Sequence, residues 1–340
     1  MKNITIKDIA NMAGTSKTTI SFYLNGKSDR MSSETRLKIE QIIRETGYSP
    51  SFVARSLTYK KTNLIGVIVA DICNPFSSAI VKEIDMAARK EGYQIIVGSS
   101  KFDFNNEEKY INRMLDMGVD GFIIQGTRKI STLIDKIRER GKKLLLLNSV
   151  DNNFEGTFVK INNFDITREA IEKLVIKGYN NFVLLTENPK ISMPIWERKK
   201  AFIETLERLK INYKVEIIND EIKREDINKS IDRALKPGSK NLIFAVDGEI
   251  LQKAYDYIIY KKLDIPNEVG ILGFEDRRWT YYANPSVTTI SQPIYEEGRY
   301  VARTLINMIE ENKESLKSFI FSCNISWNES TNLRTSNIEN

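Results

Sequence analysis

The chemistry most legible in this chain lies in residues 5–25. Lys17, Thr18, Ser21 and Phe22 fall off the apolar face of one short helical span there. A lysine so placed can donate to O6 and N7 of guanine, and a threonine can touch a thymine methyl. Phe22 reads two ways, as a contact for thymine methyls or as packing within the segment. The elements that must hold these side chains are two short helices. Ile6, Ile9, Ala10 and Ala13 recur at helical spacing. Gly14 can take the left-handed conformation of a helix C-cap, and Ser16 can cap the helix that follows. Ile20, Tyr23 and Leu24 supply the apolar face of that second helix, which Asn25 and Gly26 end. Two short helices joined by a tight turn make a helix-turn-helix, whose second helix suits the DNA major groove.

The charge distribution agrees. Residues 1–61 carry 11 Lys and Arg against 5 Asp and Glu, a net of +6. The whole chain carries 51 against 45, also +6, so residues 62–340 are neutral. A basic head on a neutral body is the electrostatic footprint for a phosphate backbone. The chain has no histidine. That excludes Ser-His-Asp and Cys-His catalysis and every His-ligated metal site. Neither glycine-rich phosphate-loop nor dinucleotide-turn spacing occurs. The two cysteines, Cys73 and Cys323, fit a reducing cytosol and cannot build a structural zinc site alone. No apolar run approaches the ~20 residues of a membrane-spanning helix, and no signal peptide is expected. The expectation is a cytoplasmic protein with no metal, cofactor or membrane partner.

Taken in order, residues 1–48 form an all-α head. Its third helix, about 33–46, is capped by Ser32, favoured by Glu34 and ended by Gly47, with Leu37, Ile39, Ile42 and Ile43 turned to the first two helices. In residues 49–61, Ser49 and Pro50 start a helix of about two turns, too short to persist alone in water. Leu57 near its end reads either as one apolar residue of a solvated linker or as a wedge for a minor-groove base step. The body alternates apolar runs (64–70, 94–98, 121–125, 143–148, 181–186, 215–218, 241–246 and 269–274) with amphipathic helical patterns (77–91, 106–117, 131–140, 165–177, 197–210, 225–236 and 249–262). That pattern predicts doubly wound parallel sheets, with ligands beyond the carboxyl ends of the strands. Crossovers near 159–164 and 292–293 predict two lobes with a cleft between them.

Thr5-Ile6-Lys7-Asp8-Ile9-Ala10, Ala13-Gly14, Ser16, Thr19-Ile20-Ser21, Leu24-Asn25, Thr35-Arg36, Gly47-Tyr48-Ser49-Pro50 and Ala54-Arg55-Ser56-Leu57 resemble, residue by residue, the signature of the lactose/galactose repressor (LacI/GalR) family. The resemblance continues at Ile65-Gly66-Val67, Asp71-Ile72-Cys73-Asn74-Pro75-Phe76, Gly118-Val119-Asp120-Gly121, Gly273-Phe274-Glu275-Asp276 and Thr288 to Pro293, and so covers nearly the whole chain. It implies a two-lobed periplasmic-binding-protein-like body at 62–332. Lobe 1 would be about 62–161 and 292–323, and lobe 2 about 162–291 and 324–332. The last crossing would fall near Cys323, and a polar tail would follow at 333–340. It implies base reading by Lys17, Thr18 and Phe22. Thr5, Ser16, Thr19, Ser21 and Asn25 would position phosphates, which orient without specifying sequence. Ala54 and Leu57 of the hinge would enter the minor groove.

The same resemblance places an effector against Asp71, Asn74, Phe76 and Gln125 on the first lobe. On the second lobe it names Asn148, Asn162, Phe164, Arg198, Asp247, Glu275 and Trp279. Arg198 matches a family arginine that hydrogen-bonds the effector, and its planar fork suits a carboxylate or a vicinal diol. Trp279 reads either as a surface for a sugar face or as core. Asn148 and Asn162 stand where many members carry aspartate, which removes a charge that would repel an anion. Glu275 replaces the usual aspartate, and Arg277 and Arg278 lie nearby. The branch most resembled is the ketodeoxygluconate-type (KdgR-like) one. The expected function is a sequence-specific regulator, a repressor of a carbohydrate or sugar-acid operon, bound to operator DNA as a homodimer and released by a small molecule such as 2-keto-3-deoxygluconate. Two rivals are a regulator controlled by a protein partner and a sugar-acid enzyme with an accessory DNA-binding head; the missing histidines weigh against the second.

Overall fold

The computed structural model describes residues 4–24, 26–48, 61–150, 154–190, 192–218, 223–274 and 278–333. These form two compact units, meeting in sequence at residues 62 and 63.

In the first unit, α1 (Ile6–Ala13), α2 (Lys17–Leu24) and α3 (Ser33–Thr46) enclose Ile9, Ala10, Ala13, Ile20, Ile39 and Ile42. Each start is fastened by a side chain. Thr5 and Asp8 exchange bonds in a capping box, Thr5 N donating to Asp8 Oδ2 at 2.9 Å and Asp8 N to Thr5 Oγ1 at 3.4 Å. Ser16 Oγ accepts from Thr19 N at 3.1 Å, and Ser32 Oγ from Thr35 N at 3.2 Å. Gly14 ends α1 with φ +66°, a conformation that a side chain would strain. Leu37 is not part of this core: it is 65% exposed. Two residues along a helix is about 200° of rotation, so Leu37 lies opposite the face that Ile39 and Ile42 bury.

The second unit holds two six-stranded sheets. The first contains β1 (Leu64–Val69), β2 (Gln94–Ser99), β3 (Gly121–Ile124), β4 (Lys143–Leu147), β5 (Thr157–Ile161) and β11 (Phe319–Phe321), in the order β11-β5-β4-β3-β1-β2. The second contains β6 (Asn181–Thr186), β7 (Asn212–Ile217), β8 (Asn241–Ala245), β9 (Val269–Phe274), β10 (Thr288–Ser291) and β12 (Asn324–Ser326), in the order β12-β10-β9-β8-β6-β7. Each sheet defines a lobe. All pairs are parallel except β10 with β12, which run antiparallel. The chain passes between the sheets after Ile161, after Ser291 and between Phe321 and Asn324.

Strand periodicity sorts the first lobe's core. Ile65, Val67, Val69, Leu145 and Leu147 turn to α4 (Pro75–Lys90) and α12 (Ile294–Glu310). Ile68, Phe122, Ile124, Leu144 and Leu146 turn to α5 (Phe104–Asp116) and α6 (Ser131–Glu139). The second lobe packs α7 (Asn163–Ile176), α8 (Met193–Leu209), α9 (Arg224–Ala234) and α10 (Gly248–Tyr260) around Phe182, Phe202, Phe244 and Leu272. The one-turn α11 (Trp279–Tyr282) follows β9.

The sequence pattern missed α12 and the short strands β5, β10, β11 and β12. The last three have three or four residues each, too few to show a period. In α12 the apolar stripe is interrupted at its first turn by Glu297 and Gly298, both of which the structure buries. An added Cβ at Gly298 would lie 2.7 Å from Glu83 Cβ on α4, so the missing side chain is what lets the two helices touch.

Candidate nucleic-acid interface and interlobe cleft

On α2, Lys17 and Thr18 are exposed, each extending from the first turn of the helix. Phe22 is half-buried, with the Arg30 guanidinium 5.3 Å from its ring centroid. Thr5 is exposed but its hydroxyl belongs to the capping box, donating to Asp8 Oδ2 at 2.7 Å. Ser16 and Thr19 share a hydroxyl–hydroxyl bond of 2.9 Å beside the start of α2, and Ser21 is half-buried. Asn25, Ala54 and Leu57 lie outside the described residues, as does Glu275.

In the body, several of the sequence-expected effector residues follow the carboxyl ends of strands, while Arg198 lies within α8. Asp71, Asn74 and Phe76 follow β1. Asp71 Oδ1 accepts from Cys73 N at 2.9 Å, Asn74 Oδ1 caps α4 through Phe76 N at 2.9 Å, and Phe76 leans on the first lobe's core. Gln125, buried after β3, accepts from Ala70 N at 3.4 Å. Asp247 follows β8 and caps α10, its Oδ1 accepting from Glu249 N at 2.7 Å. Phe164, on α7, has Arg168 and Lys200 each 5.9 Å from its ring. Trp279 packs 5.6 Å from Tyr255, and its buried Nε1 has no partner among the described residues.

Asn148 requires a correction. It follows β4 and so belongs to the first lobe, not the second. It sits at φ +54°, a backbone conformation asparagine tolerates better than most residues. Its Oδ1 accepts from Ile161 N at 3.1 Å, which ties β4 to the first crossing. Asn162 lies in that crossing, and its Oδ1 accepts from Cys323 N of the third at 2.8 Å. Both cysteines are free thiols.

Arg198 is a buried charge of α8. Its side chain is buried; Nε donates to Asn163 Oδ1 at 2.8 Å and Nη1 to the Val246 carbonyl at 2.7 Å. The guanidinium lies 3.5 Å from the Phe274 ring centroid. Burial pushes its pKa down to about 10, so it remains charged at neutral pH. No carboxylate forms an ion pair with it among the described residues.

Several residues of this region escaped the sequence reading. Among the described residues, contacts join the lobes directly. Asn74 Nδ2 donates to Asp247 Oδ2 at 3.2 Å, Lys160 Nζ pairs with Glu197 Oε1 at 2.8 Å, and the Arg128 guanidinium stands 5.4 Å from the Trp196 ring. Buried Glu107 holds the loop bearing Arg128, accepting from Thr127 N at 2.6 Å and Thr127 Oγ1 at 2.9 Å. Glu297 is fully buried, its Oε1 accepting from Asn148 Nδ2 at 2.8 Å. Its position on the stripe with Val301, Leu305 and Met308 was the available signal, since an acid on an apolar face asks for a reason.

Comparison with known proteins gives this geometry its class. Residues 5–51 match the family model for bacterial regulatory proteins, lacI family, and residues 171–331 match a periplasmic binding protein-like domain. A helix-turn-helix head joined to a two-lobed body of that kind defines a bacterial DNA-binding transcriptional regulator. The HTH-type transcriptional regulator KdgR of Bacillus subtilis (strain 168) is 32% identical over 312 residues, covering 91% of this chain and 92% of that protein. Catabolite control protein A of Priestia megaterium is 27% identical over 323 residues, covering 94% and 96%. The crystal structure of the lac repressor dimer bound to operator and the anti-inducer ONPF has the same fold, with TM-score 0.84 and 21% identity over 97% of this chain and 99% of that one. The chain belongs to the lacI family of transcriptional regulators and is not an enzyme.

Proposed function

We propose that this regulator represses a carbohydrate or sugar-acid catabolic operon and is released from it by a small acid bound between the lobes. The observation that carries the effector class is Arg198. Its buried guanidinium meets no carboxylate at ion-pair distance among the described residues, and Asp247, Glu197 and Glu187 act on it only from farther off, so an anionic ligand beside it would supply a direct partner. The likeness to KdgR supports a ketodeoxygluconate-type acid as the first candidate.

In this reading residues 1–48 hold the DNA, 49–61 form the hinge, 62–332 bind effector and pair two copies, and 333–340 are a polar tail. The protein acts in the cytoplasm as a homodimer on a near-palindromic operator. Lys17, Thr18 and Phe22 face base edges, and the hinges insert Leu57 into the central minor groove. Effector binding favours one lobe arrangement over the other. What matters is the difference in affinity between the two arrangements, not tight binding as such.

The test is operator binding titrated with 2-keto-3-deoxygluconate, related hexuronate-derived acids, neutral sugars and purines. The acids are expected to release the DNA. Release by neutral sugars alone overturns the acid assignment. No response to any small molecule, with a protein co-purifying instead, favours control by a partner.

A further inference from the structure

Glu297 has a structural oddity that the operator and effector reading leaves unused. The residue sits in the first turn of α12, just after the chain crosses from the second lobe. It is 0% exposed. Oε1 is occupied by Asn148, but Oε2 is buried with no hydrogen-bond partner among the described residues. A buried, unsatisfied carboxyl oxygen forfeits its hydration for nothing unless something else comes to meet it.

Its surroundings say what that something is. From β4 comes the neutral amide of Asn148; from α8, the guanidinium of Arg198; from the third crossing, the thiol of Cys323, which burial pushes up to about 12 and keeps neutral. On α4, Glu83 packs against neighbouring Gly298, its Oε2 3.7 Å from Arg299 Nε. On α12 itself, Glu296 precedes it. Burial raises the Glu297 carboxyl to about 7, against the opposing pull of Asn148 and Arg198. Oε1 can accept from Asn148 in either protonation state, so the bond that a proton on Oε2 would add is one donated to a new acceptor.

We propose that Glu297 is a specificity residue of the cleft, which as the neutral acid donates its Oε2 proton in a hydrogen bond to an anionic oxygen of the effector. The inference rests on the acid-effector reading above. Arg198 takes one part of the ligand as a cation, and Glu297 takes an oxygen that a fixed carboxylate there would repel. Where Glu297 is ionised before binding, it must first gain a proton from solvent, so binding and proton uptake are linked.

The experiment is isothermal titration calorimetry of the full-length protein with 2-keto-3-deoxygluconate and D-gluconate. Titrations run at pH 6 and pH 8, each in two buffers of different ionisation enthalpy. For a group with a free pKa near 7, the parent is expected to take up close to one proton on binding at pH 8 and almost none at pH 6. Affinity should then be about tenfold weaker at pH 8. Glu297→Gln is always neutral and keeps a donor at that position. It is expected to bind with the same affinity at both pH values and to exchange no proton.

Thermal unfolding of the ligand-free proteins gives a second readout. The raised folded-state pKa makes the Glu297 contribution complete below the unfolded value and lost as pH rises through about 7. Glu297→Gln should therefore gain stability relative to the parent at pH 8 and not at pH 5. Binding of either acid with flat affinity and no proton exchange overturns this proposal alone. So does a pH dependence that survives in Glu297→Gln. No binding of either acid at any pH, with neutral sugars releasing operator, overturns the effector reading along with it.

Discussion

Lys17 and Thr18 stand exposed on the first turn of α2, while Ile20, three residues after Lys17, is fully buried. That division follows from helical periodicity: one face anchors the helix, and the other stays exposed. Lys17→Ala is expected to weaken specific operator binding by about 1–3 kcal/mol and to relax discrimination at one base pair, with non-specific binding little changed. Fluorescence anisotropy on operator and scrambled duplexes checks this, and an equal loss on both would reassign Lys17 to the phosphates. In the body the same scale shows a different logic. Arg198 was singled out only through the family resemblance. Glu297 was not, because its significance depends on Asn148, 149 residues earlier in the chain.

Among the elements, α4 and α12 approach each other closely at a single residue. Gly298 lets them close, and an alanine there would also place its Cβ 3.2 Å from the Ile80 carbonyl oxygen. A backbone oxygen cannot swing away as a side chain can. Gly298→Ala is expected to destabilise the protein by about 1–3 kcal/mol, read as a lower denaturant midpoint with an unchanged slope. An unshifted midpoint would mean that the helices part without cost. The three α-helices of the head were readable, since caps and apolar spacing are local features, though Leu37 was assigned to the wrong face. Elements of the body were readable where a strand lay in a mostly apolar run, as four-residue β3 does, and where helices kept a clean stripe. They were lost where a strand was of mixed polarity, as in β5 with Thr157 and Lys160, where it was only three or four residues without such a run, or where a buried acid and a glycine broke the stripe.

The distribution of charge belongs to the whole molecule. The net +6 of residues 1–61, beside a neutral remainder, predicts two very different salt responses in one protein. Operator affinity should fall by about 10³–10⁵ between 50 and 200 mM salt if some six to ten phosphates are contacted. Binding of a small acid against buried Arg198 should change far less, because ions screen buried groups poorly. Parallel titrations across that salt range separate the two. Equal slopes would place the effector on an exposed surface instead of between the lobes.

The amino-acid sequence alone determined the helix-turn-helix, its caps, the alternation that makes doubly wound lobes, and the placement of positive charge. Each of these is set by neighbours a few residues apart, or by simple counting. Only the tertiary structure decided which buried polar groups meet. Arg198 finds Asn163 and the Val246 carbonyl, Asn162 finds Cys323, and Glu297 finds Asn148 with one oxygen left over. Such pairings join segments that only the packing of two lobes brings within hydrogen-bond reach, and no local pattern encodes that distance.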